Sequence, residues 1–330
     1  MTAASSADTT ISVVVPSYRR PDDLARCLAA LRRQDLPPSE IVVVHRPDDG
    51  DTRAVVEAFP GIKRVEVDVP GQVAALHAGA AASTGDIVAF TDDDAVPHRD
   101  WCRRLADAFR SADIAAVGGR DIVHHGPVVE SGRHRRVGLV TPLGRVVGHH
   151  HLGAGRARDV HHLKGANMAV RRRYLWFAVG LRGQGAQVAN DLAMSLAARR
   201  SGTRLVYDPT ILVDHHPAPR FDDDGRLARS IGARTDAAFN QSYVLFSLRP
   251  DLRRRRLAYV VLCGDRDNGG LVRSAVGLLR GERELRGTLG PLVRAHMEAW
   301  RLARTSPLHL VPADGAASTV VHRTEPTIPT

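Results

Sequence analysis

Cysteine is nearly missing from this chain. Cys27, Cys102 and Cys263 are the only three in 330 residues, odd in number and widely separated. That excludes a disulfide framework and a CxxC metal or redox site, and predicts reduced, packing thiols. Lysine is rarer still, because Lys63 and Lys164 are the only two among 46 basic residues. Aromatic residues make up 5%, and with no recognition motif present that argues against a nucleic-acid partner, although the formal net charge is +10. Long apolar runs are missing too. None approaches the roughly 18 residues that cross a bilayer. The opening MTAASSADTT has neither the basic nor the apolar region of a secretory leader, so a cytoplasmic location is expected.

What is present is an ordinary globular balance, 43% hydrophobic and 25% charged, over a length that fits one large α/β domain or two smaller ones. Ile11–Pro16 is a near-continuous β-branched run, which suits a strand covered on both faces. Pro21, Asp22 and Asp23 open a helix whose apolar positions are Leu24, Cys27, Leu28 and Leu31. Strands are then predicted at 41–44, 62–67, 87–90 and 114–117, and helices at 52–59, 73–82 and 101–109. Repeated βα units of this length predict an α/β fold with a doubly wound, mostly parallel sheet and right-handed crossovers. Farther on, the pattern predicts a helix over 190–200 and two short strands at 205–207 and 211–213. A polar connection follows Pro217, and 312–330 reads as a disordered tail.

The most informative stretch is DIVAFTDDD, residues 86–94, an apolar run that ends in three carboxylates. A buried strand that delivers acidic side chains to its carboxyl end is how an open α/β sheet brings a divalent cation to a ligand crevice. An Asp-rich turn is the simpler alternative, since aspartate favours turns after any strand. Histidines cluster as His124-His125, His149-His150-His151, His161-His162 and His215-His216. Neighbouring histidines in a strand point to opposite faces, so such a pair seldom chelates one ion through both rings.

Basicity is concentrated near the carboxyl end, where residues 249–304 hold 13 arginines against six acidic residues. Interspersed with Leu257, Val260, Leu271, Val276, Leu279 and Leu285, these arginines resemble amphipathic helices. Two readings stay open: contact with an anionic membrane surface, or helices packed on the main domain with solvated arginines.

The order of motifs resembles the family 2 glycosyltransferases. The matching pieces are VVVPSYRRPDDL, GDIVAFTDDDAVP, GANMAVRR, ANDLAMSLAARRSG and VDHH, spread over residues 11–216. The resemblance implies a GT-A-type, Rossmann-like sheet with a C-terminal helical extension, and hexosyl transfer from a nucleotide sugar. It implies that Asp92 and Asp94 hold Mn²⁺ or Mg²⁺ against the donor diphosphate, with His215 as a later ligand and His216 as its alternative. Asp191 would be the base that deprotonates the acceptor hydroxyl. Pro16, Ser17, Tyr18, Arg19, His77, Asp92 and Asp93 would bind the nucleotide sugar, and Gly165, Asn167 and Asn190 the acceptor. Partners implied are a nucleotide-sugar donor and a glycan or lipid-linked acceptor.

The chemistry asks for such residues independently. A nucleoside diphosphate leaving group needs a hard cation on oxygen ligands. An attacking sugar hydroxyl needs a carboxylate to take its proton. Two departures stand out. The second strand ends in His45-Arg46-Pro47 where acidic residues commonly recognise the base, with Asp48, Asp49 and Asp51 slightly later. Gln72 and His77 replace a usual Lys and Asn. The expected organisation is a disordered 1–10, a nucleotide-sugar half over 11–120, an acceptor half over 121–220, a basic helical extension over 221–311, and the tail. A sugar-phosphate nucleotidyltransferase would need a glycine-rich, lysine-bearing triphosphate loop, which PSYRRPDD does not supply. A degenerate sugar-binding or scaffold protein is favoured by Gln72 and His77 and opposed by Asp92, Asp94 and Asp191.

Overall fold

The computed structural model describes residues 9–200, 202–219, 230–265, 268–279 and 285–315. Its first strand, β1 (Ile11–Pro16), sends Val13 and Val15 to one face and Val14 to the other, all fully buried. A strand covered on both faces can be apolar at every position. α1 (Pro21–Arg32) starts on proline with Asp22 and Asp23 in its first turn, where a preset φ and negative charge both suit a helix start. There follow β2 (Glu40–His45), α2 (Gly50–Glu57), β3 (Lys63–Glu66), α3 (Gln72–Ala82), β4 (Ile87–Thr91), β5 (Ala95–Pro97), α4 (Trp101–Ala108) and β6 (Ile114–His125). The middle holds the short strands β7 (Val128–Val129), β8 (Leu139–Val140), β9 (Val146–Val147) and β10 (Arg158–Asp159), then β11 (Asn167–Arg171), β12 (Trp176–Val179), α5 (Asn190–Arg199) and β13 (Arg204–His215).

The central sheet runs β10-β13-β6-β11-β4-β1-β2-β3. Neighbours β4, β1, β2 and β3 are parallel, as are β6 and β13, while β11 lies antiparallel between β4 and β6. One face packs on α1, α2 and α4 through Leu24, Leu28, Val56, Trp101 and Leu105; the other packs on α3 and α5 through Leu76, Ala80, Met194 and Ala198. This is the α/β sheet expected from the sequence.

Several boundaries differ. Residues 205–207 and 211–213 belong to one strand, β13, whose register against β6 shifts between Tyr207 and Leu212, where Asp208-Pro209-Thr210 interrupts the pattern. Residues 114–117 are only the start of the 12-residue β6. Within the expected disordered start, Thr10 is tied down, its N–H and hydroxyl both donating to Asp86 at 3.1 and 2.8 Å. Residues 1–8 lie outside the described residues, as do 316–330 of the expected tail. The tail's beginning is ordered: β16 (His309–Pro312) pairs antiparallel with β12, and Ala313 is buried.

The expected connection after Pro217 contains an 18-residue helix, α6 (Ile231–Leu248), capped by Ser230. α7 (Arg253–Leu262), the two-residue strands β14 (Gly264–Asp265) and β15 (Asn268–Gly269), α8 (Leu271–Leu279) and α9 (Leu285–Thr305) complete the extension. Phe239, Val244 and Phe246 of α6 meet Ala295, Ala299 and Ala303 of α9 in a third core that also takes in Leu192 and Leu196 of α5. Some of the extension's arginines are structural. Arg256 is fully buried and donates to the Gly144 carbonyl at 3.0 Å and to Gln241 at 2.9 Å.

Candidate functional site

Parallel β1 and β4 end at the same edge of the sheet, where a crevice forms. The chain leaving β1 is held by a bond from Ser17 N–H to the Val44 carbonyl, then turns at Arg19, whose φ of 56° is left-handed. Asp49 secures that turn. It accepts the Arg19 N–H at 2.6 Å and caps α2 through Thr52, so it is committed to the fold rather than to reading a base. The resulting open cleft is lined by Pro16, Ser17, Tyr18, Arg20, His45, Arg46, Gln72, Asp92, Asp93 and the loop Gln184-Gly185-Ala186. That mix of aromatic, cationic and polar lining suits a nucleotide. Tyr18 presents a ring over which the Arg46 guanidinium lies at 4.3 Å.

The acid triplet closes one end of this cleft. After Asp94 the chain turns into β5, which runs antiparallel to β13 with Ala95 opposite His215. That pairing is what brings His215, from 121 positions later in the chain, to the acids. Asp92, Asp94 and His215 offer ligand atoms within 4.8 Å of one another. Asp94 Oδ2 accepts the Ala218 N–H at 2.9 Å. His215 Nε2 lies 3.2 Å from Asp94 Oδ1 without hydrogen-bonding geometry, and both of its ring nitrogens are buried without a hydrogen-bond partner among the described residues. A buried imidazole with two unanswered nitrogens is costly, and a divalent cation would answer one of them. Two carboxylates with one imidazole suit Mn²⁺, and Mg²⁺ through the oxygens. Burial, reinforced by Asp94, pushes the Asp92 carboxyl above the usual range, which disfavours the charged form unless a cation is present.

Asp93 faces away from this group. It accepts from Ser17 Oγ and from Arg20 Nη1, both at 2.9 Å, while Arg20 also donates to the Pro219 carbonyl at 2.8 and 3.1 Å. Burial drives its carboxyl up to about 7 against the pull of Arg20. Arg20 thereby ties the β1 turn, the triplet and the segment beyond His215 together.

The opposite wall comes from the middle of the chain. Asp191 stands in the first turn of α5, after Ala189 at a left-handed φ of 76°, and one of its oxygens accepts the Leu192 N–H at 2.7 Å. Gly165 adjoins it: a Cβ built at Gly165 would sit 4.0 Å from the Asp191 Cβ, an ordinary contact distance. Lys164 forms an ion pair with the fully buried Asp121 of β6. Burial pulls the Lys164 ammonium down, but Asp121, with Asp92 and Asp191 behind it, raises it overall.

Of the residues expected to bind the nucleotide sugar, Pro16, Ser17, Tyr18, Asp92 and Asp93 line the cleft. Arg19 does not, because its left-handed backbone turns it outward to an exposed pair with Asp48. His77 does not either. It is buried, its ring 5.0 Å from that of Phe177 and its Nε2 3.2 Å from the Pro312 carbonyl. Of the expected acceptor residues, Gly165 adjoins Asp191. Asn167 is instead a buried tie, bonded to the Trp101 indole and to the carbonyls of Arg120 and Ile211. Asn190 bonds Gln72 and the Ala186 carbonyl, fastening the glycine-rich loop to α3 beside the cleft. His216 donates its N–H to the Asp94 carbonyl at 2.9 Å, but its ring stacks on that of His124 and is not one of the grouped ligands. Sequence reasoning passed over Arg20, although it lies in the quoted PSYRRP, and Asp121 with Lys164, whose signal was only the rarity of lysine.

The family pattern described as glycosyl transferase family 2 matches residues 12–177. The glycosyltransferase AglE of Haloferax volcanii is 29% identical over 116 residues, 33% of this chain and 38% of that protein. The succinoglycan biosynthesis protein ExoM of Rhizobium meliloti is 29% identical over 130 residues, 36% and 40% of the two chains. This chain therefore matches well under half the length of either relative. In fold it resembles GalNAc-T7, solved with UDP, GalNAc and Mn²⁺, at a TM-score of 0.53 and 15% identity over 75% of this chain and 54% of that one. With half its length matched and the acid triplet at the carboxyl edge of this sheet, the chain belongs to glycosyltransferase family 2.

Proposed function

We propose that this protein is a metal-dependent, inverting glycosyltransferase that moves a sugar from a nucleotide-sugar donor to a hydroxyl of a glycan or lipid-linked acceptor, in bacterial polysaccharide or glycoconjugate assembly. The observation that carries this reading is the group of half-buried Asp92 with buried Asp94 and His215, its imidazole nitrogens unanswered, at the end of the cleft. Mn²⁺ or Mg²⁺ held by these three residues would supply Lewis-acid stabilisation of the departing diphosphate. Ser17, Tyr18 and Arg46 bind and orient the nucleotide. Arg20 keeps Asp93 and the segment after His215 in register with it. Asp191 takes the proton of the acceptor hydroxyl as its oxygen bonds to the anomeric carbon and the bond to the diphosphate oxygen breaks. One displacement inverts that carbon. Relatives named for succinoglycan biosynthesis and for glycosyl transfer support the acceptor class.

The test is a thermal-shift panel of UDP, GDP, TDP and CDP, each with and without Mn²⁺, on wild type and Asp94→Ala. A ligand that binds the native state raises the melting temperature by mass action. One nucleotide should stabilise wild type only with Mn²⁺, and the substitution should abolish the shift. No shift with any nucleotide overturns the reading.

The extension supports a resting place on an anionic membrane. Leu262, Leu271, Val272, Val276 and Leu279 are exposed, Leu279 at 89%, and Arg254, Arg255 and Arg273 are exposed near them in sequence. Apolar side chains among cations suit insertion at a headgroup boundary. No helix among the described residues is long and apolar enough to cross a membrane. Vesicles with 30% phosphatidylserine should sediment the wild type at low salt and should fail to sediment Val276→Asp/Leu279→Asp; equal sedimentation of both removes this part.

A further inference from the structure

Lys164 stands out in a chain that otherwise uses arginine for its positive charge. The other lysine, Lys63, is spent on the Ala82 carbonyl at the far end of α3. Lys164 is about one-third exposed (35%), whereas its partner Asp121 is fully buried, so the side chain is anchored at its charged end while part of it stays open. The second Asp121 oxygen, Oδ1, is buried without a hydrogen-bond partner among the described residues. A buried carboxylate oxygen left unanswered is a cost that a ligand or water would relieve.

The location follows from the sheet. Asp121 pairs in parallel register with Val213, and His215 with Val123, so Asp121 and His215 share a face. Lys164 is charge-coupled to Asp92 of the acid group and to Asp191, and its neighbour Gly165 packs beside Asp191. It does not line the nucleotide cleft, which stops at Asp92 and Asp93. On the proposed function, on which this inference rests, the space beyond the diphosphate and before Asp191 holds the transferred sugar. An ammonium is a compact donor of three hydrogen bonds, and one of them goes to Asp121.

We propose that Lys164, anchored by Asp121, binds the transferred sugar through its hydroxyls and sets which sugar is accepted. Nζ donates to one hydroxyl oxygen, and the Lys164–Asp121 pair as a whole contributes no net charge, which selects a neutral hexose over a uronate.

The experiment is calorimetric titration of wild type, Lys164→Met and Lys164→Arg in Mn²⁺, using whichever nucleoside diphosphate the thermal panel selects and its glucose, galactose, mannose and glucuronate conjugates. For Lys164→Met the Kd of the bare diphosphate should stay within about twofold, while that of the preferred neutral conjugate should rise about tenfold or more, the loss of one charged hydrogen bond. Lys164→Arg keeps the charge and the Asp121 pair, so it reports on sugar preference if the methionine variant folds poorly. It should reorder the conjugates without weakening the diphosphate. Equal weakening of diphosphate and conjugate in both variants overturns the proposal, as does no change in either. Preference for glucuronate in wild type overturns its selectivity. A wild type that binds no nucleotide overturns the proposed function itself and is told apart from these outcomes before any variant is made.

Discussion

Asp191 accepts the Leu192 N–H at the start of α5, so a role in holding the helix and a role in taking a proton make different demands on it. Asp191→Asn keeps the shape but not the basicity. Turnover is expected to fall by about 10²–10⁴-fold, the usual worth of a general base, with the Kd of the nucleoside diphosphate in Mn²⁺ unchanged; weaker nucleotide binding would make the residue structural. His150 sets an acid limit on stability. It is buried against Tyr207, and that burial holds its imidazole well below the ordinary histidine value of 6.5. The unfolded chain therefore takes up the proton first, so the stability is complete above pH 6.5 and is lost as pH falls below it. The melting temperature should drop between about pH 7 and pH 5. His150→Gln should lower it at pH 8 but flatten that acid limb. At this scale the acid triplet was legible in the sequence because a motif announces it. The pairing of Asp121 with Lys164 was not, since 43 residues separate them and nothing local couples them.

Elements were legible where their apolar pattern is simple. β1, β2 and β4 are short runs rich in β-branched residues between turn residues, and β3 alternates. α6 lies inside the helical extension expected over 221–311, but its start carries no apolar stripe of its own: residues 231–236 are exposed or half-buried, and its buried residues crowd into the second half. α3 packs so closely on the sheet that Gly79 has no room for a side chain. A Cβ there would collide with Val14 of β1 and come within 2.8 Å of Val44 of β2. Gly79→Val should cost about 1–3 kcal/mol, the usual penalty of overpacking, read as a lower urea midpoint with an unchanged slope. A neutral result would mean that α3 can lift off the sheet.

Across the whole molecule the chain closes on itself. β16 pairs with β12, Arg172 reaches Asp314 at 2.9 Å, and the Leu308 N–H donates to Ser247 at 3.1 Å. Ending the chain at Thr305 removes all three ties and should lower the melting temperature by several degrees, on the order of 2–4 °C per kcal/mol for a chain of this size. No loss would mean that the closing strand is ornamental. Its four residues gave no local signal because the strand is defined by its partner rather than by its own pattern. The position of β11 has a further reach. Threaded antiparallel between β4 and β6, it bonds both along its length. Any attempt to retarget the protein by grafting a foreign segment after β6 would have to transplant a strand from the middle of another sheet, with its register on two neighbours intact. The two sides of β11 are thus poor units of exchange, and new specificity in such a protein is more readily obtained by changing side chains and loops at the sheet edge than by recombination.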